Sequence, residues 1–71
     1  MIEEIFAKRL RELRIVEGLS QEELAYKVGL TQRKVSKLEK LQLAPSPEVI
    51  VNIAKAFEVS ADYLLGLNDI Q

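Results

Sequence analysis

Apolar residues recur at spacings of three and four along most of the chain, which is the period of one face of an α-helix. The first such segment runs from about Ile2 to Glu17, and Gly18 follows where a left-handed residue would end the helix. The inward positions expected for this helix are Phe6, Leu10, Leu13 and Val16. No segment shows the two-residue alternation of a half-buried strand, so the pattern predicts an all-α protein.

A second and a third helix are predicted from residues that begin and end helices. Ser20 and Glu23 have the spacing of a capping box, in which each side chain accepts a hydrogen bond from the other residue's backbone amide. Gly29 is expected to close this short helix, and Thr31 is the candidate N-cap of the third. The inward residues expected for the third helix are Val35 and Leu38. A connection this short lets one helix cross the other at a steep angle.

Two further helices follow from the same signals. Ser46 is a candidate N-cap with Pro47 at the first helical position, where the missing N–H of proline costs nothing. Ser60 is the candidate N-cap of a very short fifth helix that Gly66 would stop. The inward positions expected for the fourth helix are Ile50, Ile53, Ala54 and Phe57. We therefore expect a single five-helix domain over residues 1–71, with a modest core.

Composition narrows the classes of function. The 71-residue chain contains no cysteine and no histidine, so we expect no disulfide framework, no metal site and no cofactor. The adjacent acids Glu3–Glu4 and Glu22–Glu23 point to different sides of their helices, so neither pair makes a two-carboxylate site and we expect no enzyme. The longest apolar runs are short and no signal-like segment opens the chain, so we expect a cytoplasmic protein without membrane contact.

Positive charge is concentrated in one part of the chain. The formal net charge is −1, which by itself disfavours a nucleic-acid partner. Between Lys27 and Lys40, however, five basic residues stand against one acid, Glu39, a net of +4. The remaining five basic and ten acidic residues give the rest of the chain −5. The average therefore conceals a basic segment on an otherwise acidic protein.

The polar residues of the third helix share one face. At 100° per residue they fall within an arc of about 140°, opposite the inward residues; they are Gln32, Arg33, Ser36, Lys37 and Lys40. A face that serves only solubility would mix its charges, whereas this one carries no acid. Arginine and lysine suit the acceptors of guanine, and glutamine can form two hydrogen bonds with adenine. The arrangement favours DNA contact over the alternative of an ordinary solvated helix face.

The segment "LSQEELAYKVGLTQRKVSKLE" resembles the helix-turn-helix of the phage-repressor family, the relatives of the lambda and 434 repressors and Cro. The resemblance runs from Phe6 to Gly66 and includes "RLRELR", "GLSQEELA", "SKLE", "PS" and "VSADYLLG". It implies a five-helix lambda-repressor-like fold, with the helix-turn-helix at about residues 21–39.

The same resemblance implies a function. It indicates a sequence-specific transcription regulator, expected to be a repressor in a bacterium or its mobile elements, that binds double-stranded DNA. One recognition helix reads few base pairs, so a homodimer on a near-palindromic site is expected, with its two recognition helices roughly 34 Å apart. The alternative is an antitoxin-like or antirepressor-like module that uses this fold mainly to bind a protein partner.

Site residues are assigned by matching this chain to the family pattern. Gln21 matches the position that contacts a DNA phosphate and braces the start of the recognition helix. Residues that match base-facing positions, or lie between them, are Gln32, Arg33, Ser36 and Lys37. Residues on the flanks, where phosphate contacts are commoner, are Thr31, Lys34 and Lys40. The pattern also implies a largely buried ion pair between Arg14 and Glu39, for which the alternative is two unrelated surface charges.

Leu41 departs from the family pattern. Relatives commonly carry a glycine here, two positions after Glu39, and that glycine turns left-handed to end the recognition helix. Leucine is penalised in that conformation, so we expect the helix to run on or the loop to turn differently. The apolar residues that could form a self-association patch are Ile2, Ile5, Leu41, Leu43, Leu65, Leu67 and Ile70.

Overall fold

Five helices and no strand occur in residues 2–71, the part of the chain that the computed structural model describes. In chain order the helices are α1 (Ile2–Val16), α2 (Gln21–Val28), α3 (Gln32–Glu39), α4 (Pro47–Phe57) and α5 (Ala61–Leu64). The all-α class predicted from the sequence is confirmed. Within the same residues, no helix is both long enough and apolar enough to cross a membrane.

Four of the helices begin at the capping residues that the sequence predicts. The Ser20 hydroxyl oxygen accepts from the Glu23 amide at 3.0 Å, and the Glu23 carboxylate accepts from the Ser20 amide at 2.8 Å, so the capping box is complete. The hydrogen bonds from the backbone and then the side chain of Ser20 lower the pKa of Glu23 below its ordinary value. Thr31, Ser46 and Ser60 cap α3, α4 and α5 in the same way.

Each of the five helices ends in a left-handed turn. Three of these turns use glycine, at Gly18, Gly29 and Gly66. The other two place Leu41 (φ 63°) and Glu58 (φ 54°) in the region that favours glycine. In every case the amide of the next residue reaches back to a free helix carbonyl; after α3, Gln42 donates to the Lys37 carbonyl oxygen at 2.8 Å. This is the Schellman arrangement, and it satisfies acceptors that a helix end would otherwise leave unpaired.

Both expectations for Leu41 were wrong. α3 ends at Glu39 and does not run on, and the loop does not turn differently, because Leu41 itself adopts the left-handed conformation. The amide of Leu41 donates to the Leu38 carbonyl oxygen at 3.4 Å, which is the second bond of the same turn. These bonds form despite a backbone penalty of about 1–2 kcal/mol for a residue that has a Cβ.

All five helices contribute to the core. The residues that were predicted to face inward and are buried are Phe6, Leu10, Leu13, Val35, Leu38, Ile53 and Phe57. Ile50 and Ala54 are half-buried and pack against this cluster. The prediction for Val16 was wrong, since this residue is 83% exposed. At 100° per residue Val16 lies about 110° away from the centre of the buried stripe of α1, and it is the last residue of that helix.

An ion pair ties the end of α1 to the end of α3. The Arg14 Nε lies 2.8 Å from Glu39 Oε2, and Arg14 Nη2 lies 3.0 Å from Glu39 Oε1, so the contact is bidentate. The two side chains are only 15% and 5% exposed. Arg14 also donates to the Leu19 carbonyl oxygen at 3.0 Å, and its hydrogen bonding to Glu39 raises its pKa above the ordinary value. The pair therefore fixes α3 relative to α1.

Replacing Leu41 by glycine should give a more stable protein than replacing it by alanine. Both changes remove the leucine side chain, but alanine keeps the Cβ that a left-handed residue penalises. We expect the free energy of unfolding of Leu41→Gly, measured by urea denaturation, to be about 1 kcal/mol higher than that of Leu41→Ala. Gly29→Ala, where the new Cβ would meet nothing within 4 Å, should cost a similar amount and serves as the matched control. Equal stabilities of the two Leu41 variants would contradict the left-handed turn.

Arg14→Leu should lower the melting temperature clearly. The change leaves the Glu39 carboxylate buried without its cation, which typically costs about 3–5 kcal/mol. The double variant Arg14→Leu/Glu39→Leu removes both charges and should recover part of that loss. Thermal denaturation followed by circular dichroism measures both effects. A melting temperature of Arg14→Leu equal to that of the unaltered protein would show that the pair does not hold the fold.

Candidate nucleic-acid interface

The polar face of α3 remains accessible. α3 is fixed to the core through the buried side chains of Val35 and Leu38, and its most extensive helix contact is with α2. Of the residues assigned to DNA, those that are exposed are Thr31, Gln32, Arg33, Lys34 and Lys40, and those that are half-buried are Ser36, Lys37 and Gln21. The structure thus brings the assigned residues to α3 and to the first turn of α2.

Four cations on and beside α3 have no acidic partner. Within residues 2–71, no ion pair involves any member of what we call the basic surface: Arg33, Lys34, Lys37 and Lys40. The residues three and four positions away from each of them include no acid, so no partner is available on the same helix face. The acid of α3, Glu39, is held by Arg14. The positive charge of the basic surface is therefore uncompensated.

Lys27 is not part of this surface. Its ammonium group lies 3.7 Å from Glu17 Oε1 and 5.5 Å from the ring centre of Phe57. The fifth cation of the basic segment thus bridges helices, and its charge is partly balanced.

Gln21 connects the two ends of α3. Its Oε1 accepts from Gln32 Nε2 at 2.9 Å, and its Nε2 donates to Glu39 Oε1 at 3.2 Å. Because an ionised carboxylate only accepts, the amide of Gln21 must turn its nitrogen to Glu39 and its oxygen to Gln32. With the Gln21 amide in this orientation, the Oε1 and one N–H of Gln32 remain free, and those are the two groups that can form hydrogen bonds with the edge of an adenine.

A polar cleft lies beside this hydrogen-bonded chain. Its volume is about 270 Å³, and its lining residues are Arg11, Arg14, Gln21, Glu39 and Lys40. Arg11 was not predicted to lie here, because the periodicity of α1 indicates only that Arg11 faces outward. The available signal was its spacing, since Arg11 precedes Arg14 by three residues and so lies on a neighbouring part of the helix surface.

The residues of the expected self-association patch differ in exposure. Ile2, Leu67 and Ile70 are 50%, 70% and 78% exposed, whereas Ile5 and Leu65 are half-buried. Ile5 packs so closely on Gly66 that a Cβ there would lie 2.8 Å from two of its atoms. The start of α1 and the C-terminal segment are therefore adjacent. The other two members, Leu41 and Leu43, belong to the α3–α4 loop.

Arg9 holds the C-terminal segment against α1. It donates to the Asn68 carbonyl oxygen at 2.8 Å and to Asp69 Oδ1 at 2.9 Å, and it also donates to the Tyr63 carbonyl oxygen. Its guanidinium carbon lies 4.3 Å from the ring centre of Tyr63. The exposed Leu67 and Ile70 are thus carried by a segment that hydrogen bonds fix in place.

Sequence comparison identifies relatives over most of the chain. A model of the helix-turn-helix family matches residues 10–64. YobD, an uncharacterized HTH-type transcriptional regulator of Bacillus subtilis, is 35% identical over 65 residues, which is 92% of this chain and 58% of YobD. ImmR, another HTH-type transcriptional regulator of Bacillus subtilis, is 32% identical over 63 residues, 89% of this chain and 50% of ImmR. The chain spans about half the length of these two relatives.

Solved structures share the fold. The restriction-modification controller protein C.AhdI from Aeromonas hydrophila superposes with a TM-score of 0.80 at 39% identity, over 87% of this chain and 94% of that protein. The P22 c2 repressor, crystallised with a synthetic operator, gives a TM-score of 0.80 at 28% identity, over 89% of this chain and 96% of the repressor. The lambda-repressor-like fold predicted from the sequence is thereby confirmed. This chain belongs to the helix-turn-helix family, in its phage-repressor (Cro/C1) branch.

Proposed function

We propose that this protein is a sequence-specific DNA-binding transcription regulator, and specifically a repressor that binds a near-palindromic operator as a homodimer. The observation that carries the proposal is the basic surface, a set of cations without acidic partners on a helix that the core holds with its polar face outward. The relatives support it, because YobD and ImmR are named as transcriptional regulators and the P22 repressor was crystallised with an operator. These names favour a regulator over a module that mainly binds a protein.

α3 would enter the major groove with its polar face toward the bases. Gln32 would read an adenine through the oxygen and the N–H that Gln21 leaves free, and Arg33 has the planar fork that pairs with guanine O6 and N7. Lys37, one turn further along α3, would also face a base, and Ser36 lies between Arg33 and Lys37. The residues that would contact phosphates, and so set the register of α3 on the duplex, are Gln21, Thr31, Lys34 and Lys40.

The charge distribution would orient the approach to DNA. The segment that contains α3 carries +4, whereas the rest of the chain carries −5. Phosphates would therefore be attracted to the basic surface and repelled by the net negative charge of the rest of the chain, which discourages binding through other faces. The loop after Lys40 adds no cation, since residues 41–46 are uncharged. With so few phosphate contacts available to one domain, two copies on one site would be needed for tight binding.

A second copy of this chain is the proposed occupant of the apolar surface at the end of the fold. The residues proposed to form it are Ile2, in the first turn of α1, and Leu67 and Ile70, in the C-terminal segment that Arg9 fixes. A two-fold pairing through this surface would present two α3 helices to successive major grooves, roughly 34 Å apart.

Selection of duplexes from a random pool should return a near-palindromic sequence. Its affinity should fall steeply as salt rises, because binding releases counterions from the phosphates. Arg33→Ala should weaken binding by about 1–3 kcal/mol and relax the preference at one position of each half-site. Lys55→Ala removes an exposed cation of α4, outside the basic surface, and should leave the preference unchanged. A pool with no enriched sequence would contradict the proposal.

Replacing both Leu67 and Ile70 by serine should convert a dimer to a monomer. Sedimentation at micromolar concentration measures the oligomeric state, and the melting temperature of the variant checks that the monomer is folded. Val16→Ser changes an equally exposed apolar residue at the other end of α1 and should leave the dimer intact. A double variant that sediments as the unaltered protein does would place the dimer interface elsewhere.

A further inference from the structure

The C-terminal segment, residues 67–71, has little of its own to hold it in place. None of these five residues belongs to a helix or a strand, and all five are exposed. Fixing the backbone of an irregular segment costs conformational entropy, and here no buried apolar side chain of the segment offsets that cost. The position of the segment therefore depends on its polar contacts with the rest of the fold.

Arg9 of α1 supplies the contacts in the middle of the segment. Its Nη1 donates to the Asn68 carbonyl oxygen at 2.8 Å, and its Nη2 donates to Asp69 Oδ1 at 2.9 Å. Nη1 also donates to the Tyr63 carbonyl oxygen of α5, and the guanidinium lies over the Tyr63 ring. The Arg9 side chain is only 17% exposed, so this planar fork is held in one orientation. Arg9 thus joins α1, α5 and the C-terminal segment through one rigid group.

Tyr63 and Ser60 hold the last residue of the segment. The Tyr63 hydroxyl accepts from Gln71 Nε2 at 3.3 Å, and the Gln71 carbonyl oxygen accepts from the Ser60 amide at 3.2 Å. Between these contacts and those of Arg9, the Ile70 amide donates to Asn68 Oδ1 at 2.9 Å. The segment therefore returns to the start of α5, where Ser60 is the N-cap.

These contacts leave two apolar side chains exposed. Leu67 and Ile70 are 70% and 78% exposed, and both belong to the proposed dimer surface. A surface made of mobile residues loses conformational freedom when a second copy binds, and that loss weakens the association. A segment that is already fixed avoids most of the loss. The affinity of the dimer should therefore depend on what fixes the C-terminal segment.

We infer that Arg9 is the positioning residue of the dimer surface, because it holds the C-terminal segment so that Leu67 and Ile70 meet a second copy of the chain in a preformed arrangement. The inference rests on the proposed function, which includes a homodimer, and it adds a residue that the family resemblance did not assign. Arg9 acts through the segment and does not bind the second copy itself, since its own side chain is largely covered.

The first test compares Arg9→Gln with Lys8→Gln by sedimentation equilibrium. Arg9→Gln should raise the dissociation constant of the dimer at least about tenfold, because the segment loses its bonds to α1. Lys8→Gln removes the same charge from the neighbouring exposed position and should leave the constant unchanged. Arg9→Lys keeps the charge but lacks the planar fork that reaches several acceptors at once, so it should weaken the dimer as Arg9→Gln does.

The second test separates positioning from a general loss of stability. NMR order parameters are measured in the Leu67→Ser/Ile70→Ser background, which keeps the acceptors of Arg9 but should be monomeric. Adding Arg9→Gln should lower the backbone order parameters of residues 67–71 from about 0.85 to below about 0.6. Those of α1 to α4 should not change. A purely structural role of Arg9 in the core would not confine the new motion to this segment.

Asp69→Ala decides the question if Arg9→Gln does not fold. The Asp69 side chain is 96% exposed, so its removal takes one acceptor from Arg9 without disturbing the core. The dissociation constant should then rise about twofold to fivefold at an unchanged melting temperature. In that case an unchanged constant would overturn the inference.

The outcomes separate this inference from the proposed function. If Leu67→Ser/Ile70→Ser is monomeric but both Arg9 variants dimerise as the unaltered protein does, the role of Arg9 is overturned and the homodimer stands. The role is overturned as well if Arg9→Gln weakens the dimer while the order parameters of residues 67–71 stay the same. If the unaltered protein is a monomer, or the double serine variant still dimerises, the proposed interface fails and the role of Arg9 fails with it.

Discussion

The buried contact between Arg14 and Glu39 determines where α3 lies, and the proposed DNA surface depends on that position. α3 has eight residues, too few to be stable in water on its own, and two buried side chains hold it to the core. Apolar contacts are not directional, so they leave the rotation of so short a helix weakly defined. The bidentate pair at Glu39 and the Gln21 bond to Gln32 fix the last and the first residue of α3, and together they define which face turns outward.

The same acid also accounts for the uniform charge of the outward face. Glu39 is the one acid of α3, and Arg14 and Gln21 direct its carboxylate inward. One position later, Lys40 is exposed at the end of the basic surface. An acid at position 40 instead of position 39 could not pair with Arg14, and it would also repel phosphate from the basic surface. Glu39 thus holds α3 in place, and its burial also leaves the basic surface without negative charge. Stability and the proposed binding therefore depend on the same contact.

The sequence predicted the features of the fold that short-range chemistry controls. Ser20, Thr31 and Ser60 begin helices because their hydroxyls reach an amide three residues on, and that spacing is visible in the sequence. Val16 was misplaced because a periodic pattern does not show where the neighbouring helices stop covering it. The resemblance implied that Gln21 braces the start of α3, but its hydrogen bond to Glu39 and the cleft at Arg11 were not predicted, since they depend on the distances between helices. Those distances follow from packing, which no local pattern contains.

Leu41 shows how packing can offset a local rule. The left-handed turn costs a leucine about 1–2 kcal/mol, which glycine would avoid. Leu41, however, is only 52% exposed as a residue, and it lines a groove with Ala7 and Ile15 of α1. Covering about half of such a side chain is worth about 1 kcal/mol, so the two terms nearly cancel. Arg11 lines both this groove and its own cleft. A glycine at position 41 would keep the turn but would remove an apolar neighbour of Ala7 and Ile15 from this groove.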